Sequence, residues 1–538
     1  MRDYDEITAF LGEWGPYQKI IFFLLSISIL PNGFCGMSIV FVGDIPEHRC
    51  FIPGNLNLSE AWMNRTIPLE QDKEKLQYSK CRRYRLDVIK NLSEIFPDPD
   101  SVNISEVGQE PCLDGWVYSK EQYISTIVSE WDLVCNDDWK GPFVMSVFFM
   151  GVLVGSLCCG QLSDRFGRKI VLFGTMALQS GFSIVQLFSP NWEIFCFLNF
   201  LVGFGQISNY VAAFVLGSEH LRKNIRVIFG TVGISIFYAV GYMILPLIAY
   251  FLRSWRILLF TLSLSGLVYI PLWWFIPKSP RWLISKGRIQ EAEAILQYAA
   301  KKNGVNPPVM LINDLKLEVM RHEKKHYSVI DMFRNRNMQA IGVINIVVWM
   351  FTSAGYFALS LSTPNLHGDD YLNCFISAVV EVPAYVTAWL FLQRSSRRFS
   401  LSGSLFLGGA VLFFIRLMSS NLSVFSTALV MIGKFCTTIA FAILYVYTVE
   451  LYPTTIRNLS VGVSSMFSRV GSICSPYIFY LGIHYDFLPY ILIGGSTVFS
   501  AILVLFLPET LNVPLPETIN QMQKIKGTNC VNTQNSIS

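Results

Sequence analysis

Gly160-Gln-Leu-Ser-Asp164-Arg165-Phe-Gly167-Arg168-Lys169 stands between two apolar runs, at roughly 142 to 162 and 170 to 189. Each run has about the 20 residues that a helix needs to cross roughly 30 Å of hydrocarbon. The stretch therefore reads as a tight turn joining two membrane helices. Its glycines permit a sharp reversal, and Asp164 can hold the basic groups beside it. Arg165, Arg168 and Lys169 mark the cytosolic side, where Lys and Arg concentrate. Positive-inside anchoring by itself accounts for Arg168 and Lys169, but not for the spacing of the glycines and the aspartate.

Further along, Glu219, Arg226 and Pro277 recur as Glu450, Arg457 and Pro508, each 231 residues on. That period exceeds the 20 to 50 residues of solenoid arrays, and each copy follows a long apolar stretch. It describes a duplicated membrane half, and two such halves around a central site describe a secondary transporter. Composition agrees: 52% of the 538 residues are hydrophobic, 15% are charged, and the mean hydropathy is +0.43. A net charge of +4, with basic residues in short clusters beside apolar runs, gives no footprint for nucleic acid.

Apolar runs at about 20 to 42, 142 to 162, 170 to 189, 193 to 216, 227 to 251 and 257 to 277 make a first set of six helices. The second set falls at about 339 to 361, 371 to 392, 401 to 418, 424 to 448, 460 to 482 and 487 to 507. The segments are then a cytosolic N-terminus (1–19), a six-helix half (20–277) with a large outer loop (43–139), and a cytosolic linker (278–338). A second six-helix half (339–507) and a cytosolic tail (508–538) complete the chain. Basic clusters at Arg165 to Lys169, Arg222 to Arg226 and Arg394 to Arg398 put both termini in the cytosol; Arg253 and Arg256 are exceptions on the outer side. The first helix lacks the small-residue cleavage site of a signal peptide.

The outer loop holds Cys50, Cys81, Cys112 and Cys135 and the sequons at Asn57, Asn64, Asn91 and Asn103. Four cysteines allow three pairings, which remain open, and the combination reads as a disulfide-bonded, glycosylated segment on the oxidising side. Asn421-Leu-Ser also faces outward, close to the membrane. Cys158, Cys159 and Cys196 lie in apolar helices and read as small packing residues.

The Gly160 to Lys169 motif is similar to the signature of the major facilitator superfamily. Met1-Arg-Asp-Tyr-Asp-Glu, Phe10-Leu-Gly-Glu-Trp-Gly-Pro, Pro31-Asn-Gly-Phe, Leu113-Asp-Gly-Trp, Gln206-Ile-Ser-Asn-Tyr210, Ser279-Pro-Arg-Trp, Thr363-Pro-Asn-Leu-His-Gly and Glu450-Leu-Tyr-Pro-Thr resemble the organic cation/carnitine transporters. The likeness is to the carnitine and ergothioneine branch and runs to about residue 525. It implies an all-α membrane protein with the twelve-transmembrane-helix major facilitator fold. Members commonly carry Glu where this chain has Lys278, which reverses one charge at the inner face.

Charged groups inside membrane spans cost a few kcal/mol, about 2.5 to 3.5 on insertion scales, so each is a functional candidate. Glu381, Lys434 and Arg469 lie well inside the eighth, tenth and eleventh helices. Acidic and basic groups converging on one cavity suit a betaine, which carries a quaternary ammonium and a carboxylate. Arg469 offers a planar fork of donors for the carboxylate; the simpler alternative is that it neutralises Glu381 at a helix crossing. The ammonium end needs aromatic faces, for which Tyr210, Tyr238, Trp349, Tyr356, Tyr445 and Tyr447 are candidates. Asn32, Gln179, Gln206 and Asn209 can line the same cavity, give oxygen ligands to sodium, or bond helix to helix. The resemblance implies sodium coupling of carnitine uptake, with Gln179 and Gln206 matching positions tied to it.

Glu219, Arg226, Glu450 and Arg457 fall just past the fourth and tenth helices, within reach of Asp164, Arg165, Arg168 and Arg397. Such bridges form an inner gate that alternating access breaks. Gly217-Ser-Glu-His-Leu-Arg222-Lys223-Asn224 imitates a phosphate-binding loop, but Arg replaces the second glycine, Asn replaces the hydroxyl, and no strand precedes it. Residues 287–304 have the spacing of an amphipathic helix with a glycine cap, expected to act as an inner-face lid. The chain is thus expected to be no enzyme, with no cofactor and no bound metal besides sodium as coupling ion. It should act as a monomer in the plasma membrane, importing carnitine or a related zwitterion. Ergothioneine and sodium-independent organic cations are the rival solutes, and a non-transporting receptor is the rival class.

Overall fold

In a computed structural model, the described residues are 7–511 apart from 57, 73–74, 105–106, 307–335, 367, 416–422, 454–455, 484 and 486. Asn57, Asn421, Lys324, Lys325, the first six residues, most of the second part of the linker and the tail from 512 lie outside them.

Among the described residues, twelve helices match the expected spans. They are α1 (Pro16–Val42), α2 (Lys140–Phe166), α3 (Arg168–Gln186), α4 (Trp192–His220), α5 (Ile234–Phe251) and α6 (Trp255–Phe275), then α7 (Arg336–Leu361), α8 (Asp370–Arg394), α9 (Arg397–Phe414), α10 (Ser423–Leu451), α11 (Arg457–Tyr480) and α12 (Leu488–Phe506). Among the described residues nine are long and apolar enough to cross a membrane by themselves; α3, α9 and α11 are not. Serines and glycines account for much of the polarity of α11.

Local chemistry sets the ends. Gly167 alone separates α2 from α3, with φ of 96° and the Trp282 ring 3.0 Å from where a Cβ would stand, so only glycine fits this turn. Asn191, Asp369 and Ser396 accept backbone N–H groups at the starts of α4, α8 and α9. The Ser396 cap starts α9 earlier than expected, so Arg397 and Arg398 belong to its first turn rather than to a loop. Gly241 packs a Cβ position 2.1 Å from Leu30 O on α1, and Gly471 does the same to Met350 O on α7. Each half thus brings its fifth helix against its first by the same small-residue approach.

The helices, apart from the outer ends of α1, α2, α5 and α6, belong with the segments at the basic end to one compact unit, with one core cluster in the first half and two in the second among the described residues. The linker helix Ile289–Asn303 ends on Gly304 in the left-handed region, and its Ala292, Leu296, Ala299 and Ala300 join the core of the first half. Asn303 fastens it: Oδ1 accepts Tyr17 N at 2.9 Å, and Nδ2 donates to Leu11 O and Gln18 Oε1.

The second unit is Phe41–Phe143 with Phe251–Leu258. It holds three antiparallel pairs: β1 (His48–Cys50) with β6 (Trp116–Tyr118), β2 (Leu69–Asp72) with β3 (Lys75–Tyr78), and β4 (Arg82–Tyr84) with β5 (Gln109–Pro111). Its small core is Trp62, Ile89 and Ile104. The disulfides are Cys50–Cys112 and Cys81–Cys135. Arg83, 2% exposed, bonds Glu110, Asp114 and Phe51 O. The exceptional arginines have their reason here: Arg253 donates to Glu121 O, and Arg256 pairs with Glu130. They serve the folded loop rather than topology. Asn64, Asn91 and Asn103 are exposed.

Candidate functional site

Between the halves, six helices bring together charges and aromatic rings. Glu381 on α8 is fully buried, and its Oε1 lies 3.0 Å from Lys434 Nζ on α10, itself 1% exposed. The same oxygen accepts the Tyr356 hydroxyl at 2.6 Å, while Oε2 is buried with no hydrogen bond among the described residues. Lys434 also donates to Ser360 Oγ at 2.6 Å and faces the rings of Tyr242, at 5.0 Å, and Tyr356, at 4.9 Å. Tyr242 belongs to the first half, and its hydroxyl reaches across to Ser377 Oγ and Ser360 O, both at 3.4 Å.

Arg469 on α11 does not pair with Glu381, because Lys434 takes that place. Its side chain is half-buried, with Nε making no hydrogen bond among the described residues, and Tyr210 and Tyr238 of the first half lie within its electrostatic reach. A guanidinium with an unmet donor, within electrostatic reach of two tyrosines, can receive a carboxylate. Tyr385 interacts electrostatically with Glu381, Tyr210 and Tyr238, and Tyr445 with Tyr210. Phe441 stacks on Tyr356 with centroids 5.6 Å apart and lies edge-on to Tyr445.

Two of the expected aromatic residues stand elsewhere. Tyr447 is fully buried at the basic end, its hydroxyl donating to Pro508 O at 2.5 Å. Two positions along a helix turn a side chain by about 200°, so Tyr445 and Tyr447 cannot face one site. Trp349 is buried in the core of the second half, its indole N–H held by Thr448 Oγ1, and supports Tyr445 from behind at 4.4 Å. Tyr242, Tyr385, Ser360 and Ser377 were not singled out from sequence, though each lies four residues from a chosen position. Helical spacing from Tyr238, Glu381 and Tyr356 was the signal.

The amides of the first half form a chain through α1, α3 and α4. Asn32 Nδ2 donates to Asn209 Oδ1 and Asn209 Nδ2 to Gln179 Oε1, both at 2.7 Å, and Gln206 Nε2 to Asn32 O at 2.8 Å. Asn32 Oδ1 is buried and accepts no hydrogen bond among the described residues. His48, Cys81 and Cys135 also come within metal-ligand reach of one another, but the two sulfurs are bonded to each other and do not offer thiolates.

At the basic end each half closes its own bridge. Arg168 Nε meets both oxygens of Glu219 at 3.1 Å and its fork reaches Asp164 at 2.8 Å, while Arg397 Nε meets Glu450 at 3.2 Å. Arg226 donates to Leu221 O and Arg457 to Tyr452 O, the same five-residue return in both copies. Arg165 lies over the Phe166 ring, 5.5 Å from its centroid. Lys278 pairs with Glu291 of the linker helix. Glu509 accepts Ser396 Oγ and the N–H groups of Arg397, Arg398, Thr510 and Leu511. Burial alone would raise its carboxyl, but these donors together hold it below the ordinary glutamate value.

Two pseudo-repeated helical halves enclosing a charged, aromatic site, each with its own bridge at one end, define a secondary transporter. The family described as "Sugar (and other) transporter" matches residues 118–522. Organic cation/carnitine transporter 2 of Mus musculus is 58% identical over 98% of this chain and 95% of that relative. Solute carrier family 22 member 4 of Mus musculus is 56% identical, over 98% and 96%. The inward-open xylose transporter XylE from E. coli shares the fold, with a TM-score of 0.61 at 14% identity, over 94% of this chain and 100% of that one. The chain belongs to the sugar (and other) transporter family and, within it, to the organic cation/carnitine transporters: it is a membrane transporter, not an enzyme.

Proposed function

We propose that this chain imports carnitine or a closely related zwitterion across the plasma membrane, coupled to sodium, with both termini in the cytosol. The observation that carries the reading is one buried site holding a carboxylate, an incompletely bonded guanidinium and aromatic rings from both halves. A betaine's carboxylate complements the guanidinium, and its ammonium complements the ring faces. Arg469 receives its carboxylate, and Tyr210, Tyr238, Tyr356, Tyr385 and Tyr445 give its quaternary nitrogen, which has no N–H to donate, the negative faces of their rings. The names of the relatives favour the same solute class.

Sodium is a hard cation that takes oxygen ligands. Asn32 Oδ1 is a buried acceptor with no hydrogen bond among the described residues, and the Gln179 and Asn209 oxygens, each accepting one bond, have a second lone pair to offer. These residues would hold the ion, and its charge would help draw the substrate carboxylate inward. The Arg168–Glu219 and Arg397–Glu450 bridges, each inside its own half, brace the inner ends that part as the inner gate when the site closes to the outside. Exposed Asn64, Asn91 and Asn103 accept the glycans, and the chain works as a monomer in the bilayer.

Labelled carnitine uptake by cells expressing the chain, with sodium or with choline in its place, tests this. Sodium-dependent uptake lost in Arg469→Ala supports it. Uptake equal to that of untransfected cells would sink it and transfer the reading to ergothioneine or simple organic cations.

A further inference from the structure

The Lys434 ammonium sits in surroundings suited to an organic cation: one carboxylate and two ring faces, at 3.0, 4.9 and 5.0 Å. The Ser360 hydroxyl, at 2.6 Å, differs from these partners. It can serve an ammonium bearing N–H groups but gives nothing specific to a quaternary nitrogen, so it favours the lysine over a substrate. Glu381 meanwhile leaves Oε2 buried and unbonded among the described residues, a capacity that an ion pair kept only for structure would normally have filled.

We propose that Lys434 is a tethered occupant of the cation subsite and thereby sets the preference for zwitterions over simple cations. This deepens the function proposed above and rests on it. With Lys434 in place Glu381 is neutralised, and Arg469 leaves the site with a net positive charge. A solute that is only a cation is repelled and must displace an amine that cannot leave. A zwitterion brings a carboxylate that satisfies Arg469 and offsets the repulsion while its ammonium shares the rings. Without Lys434 the charges of Glu381 and Arg469 cancel, and the carboxylate is free for any quaternary ammonium of suitable size. Tyr242 makes the occupancy depend on the transport cycle, because it is the only one of these partners on the first half: when the halves rotate, Lys434 loses one ring.

The test is uptake of labelled carnitine and of labelled tetraethylammonium, which has no carboxylate, by wild type, Lys434→Met, Lys434→Arg and Ser360→Ala, with surface protein measured for each. Lys434→Met is expected to raise the ratio of tetraethylammonium to carnitine transport by about tenfold, Ser360→Ala by about threefold, and Lys434→Arg to hold it near wild type. A Lys434→Met protein that carries carnitine with the ratio unchanged overturns the proposal, as does a Lys434→Arg protein that shifts as far as the methionine variant. Should Lys434→Met fail to reach the surface or carry neither solute, Ser360→Ala decides, since it leaves the ion pair intact and an unchanged ratio there is equally fatal. Wild type that carries neither solute overturns the proposed function as well, whereas wild type that carries carnitine confines any failure to Lys434.

Discussion

Glu381, Lys434 and Arg469 were legible because a charge inside a hydrocarbon-length helix costs enough to need a reason. Which of them pair was not legible. Sequence offered Arg469 as the group that could neutralise Glu381, and only the packing of α8 against α10 assigns Glu381 to Lys434 instead. Arg469 is thereby left able to bind an anion. Replacing it with alanine is expected to raise the apparent KM for carnitine by roughly tenfold to hundredfold, the worth of a lost charge-assisted bond, while lysine restores part of it. A concentration series of labelled uptake checks this. Tyr447→Phe gives the contrasting outcome: the KM should stay within about twofold, since the hydroxyl serves Pro508 at the basic end, while thermal stability falls by about 1 kcal/mol. Unfolding curves of purified protein measure the second effect.

At the scale of the element, the periodic apolar runs located twelve helices, but the ends of α9 depended on a cap. Glu509 follows α12 in sequence yet receives the N–H groups that open α9, a long-range contact no local pattern announces. Its folded pKa is depressed, so its contribution to stability is present above the unfolded value of about 4.5 and lost as pH falls through the lower folded value. Glu509→Gln should therefore unfold more readily than wild type at neutral pH, with the difference shrinking in acid below about pH 4; melting by tryptophan fluorescence across that range reads it. Close helix packing makes another demand. Gly241→Leu has to push α5 off the α1 backbone and is expected to cost at least the roughly 3 kcal/mol at the upper end of overpacking, visible as loss of surface protein.

For the whole molecule, the 231-residue recurrence becomes a physical repeat. Arg168–Glu219 and Arg397–Glu450 are equivalent bridges, and Arg226 and Arg457 make equivalent returns to their own loops. The cysteine-rich unit has few buried apolar residues and depends on its covalent ties. Removing Cys81–Cys135 by two serines, across a separation of 54 residues, is expected to destabilise that unit by about 4 kcal/mol. Protease sensitivity of the loop on intact cells, with and without reductant, is the measurement.

The membrane class, the twelve helices, the duplicated halves and the residue types of the site are all legible along the chain. Each follows from a cost or a period that acts along the chain: hydrocarbon thickness, helical spacing, the expense of a buried charge. Tertiary structure alone decided the pairing of the four cysteines, the choice of Lys434 over Arg469 as partner of Glu381, the exile of Tyr447 from the site and the entry of Tyr242 and Tyr385 into it. These depend on which helix faces which, and that is fixed by close approach at residues such as Gly241 and Gly471 and by packing between residues far apart in sequence, where no local pattern can carry the information.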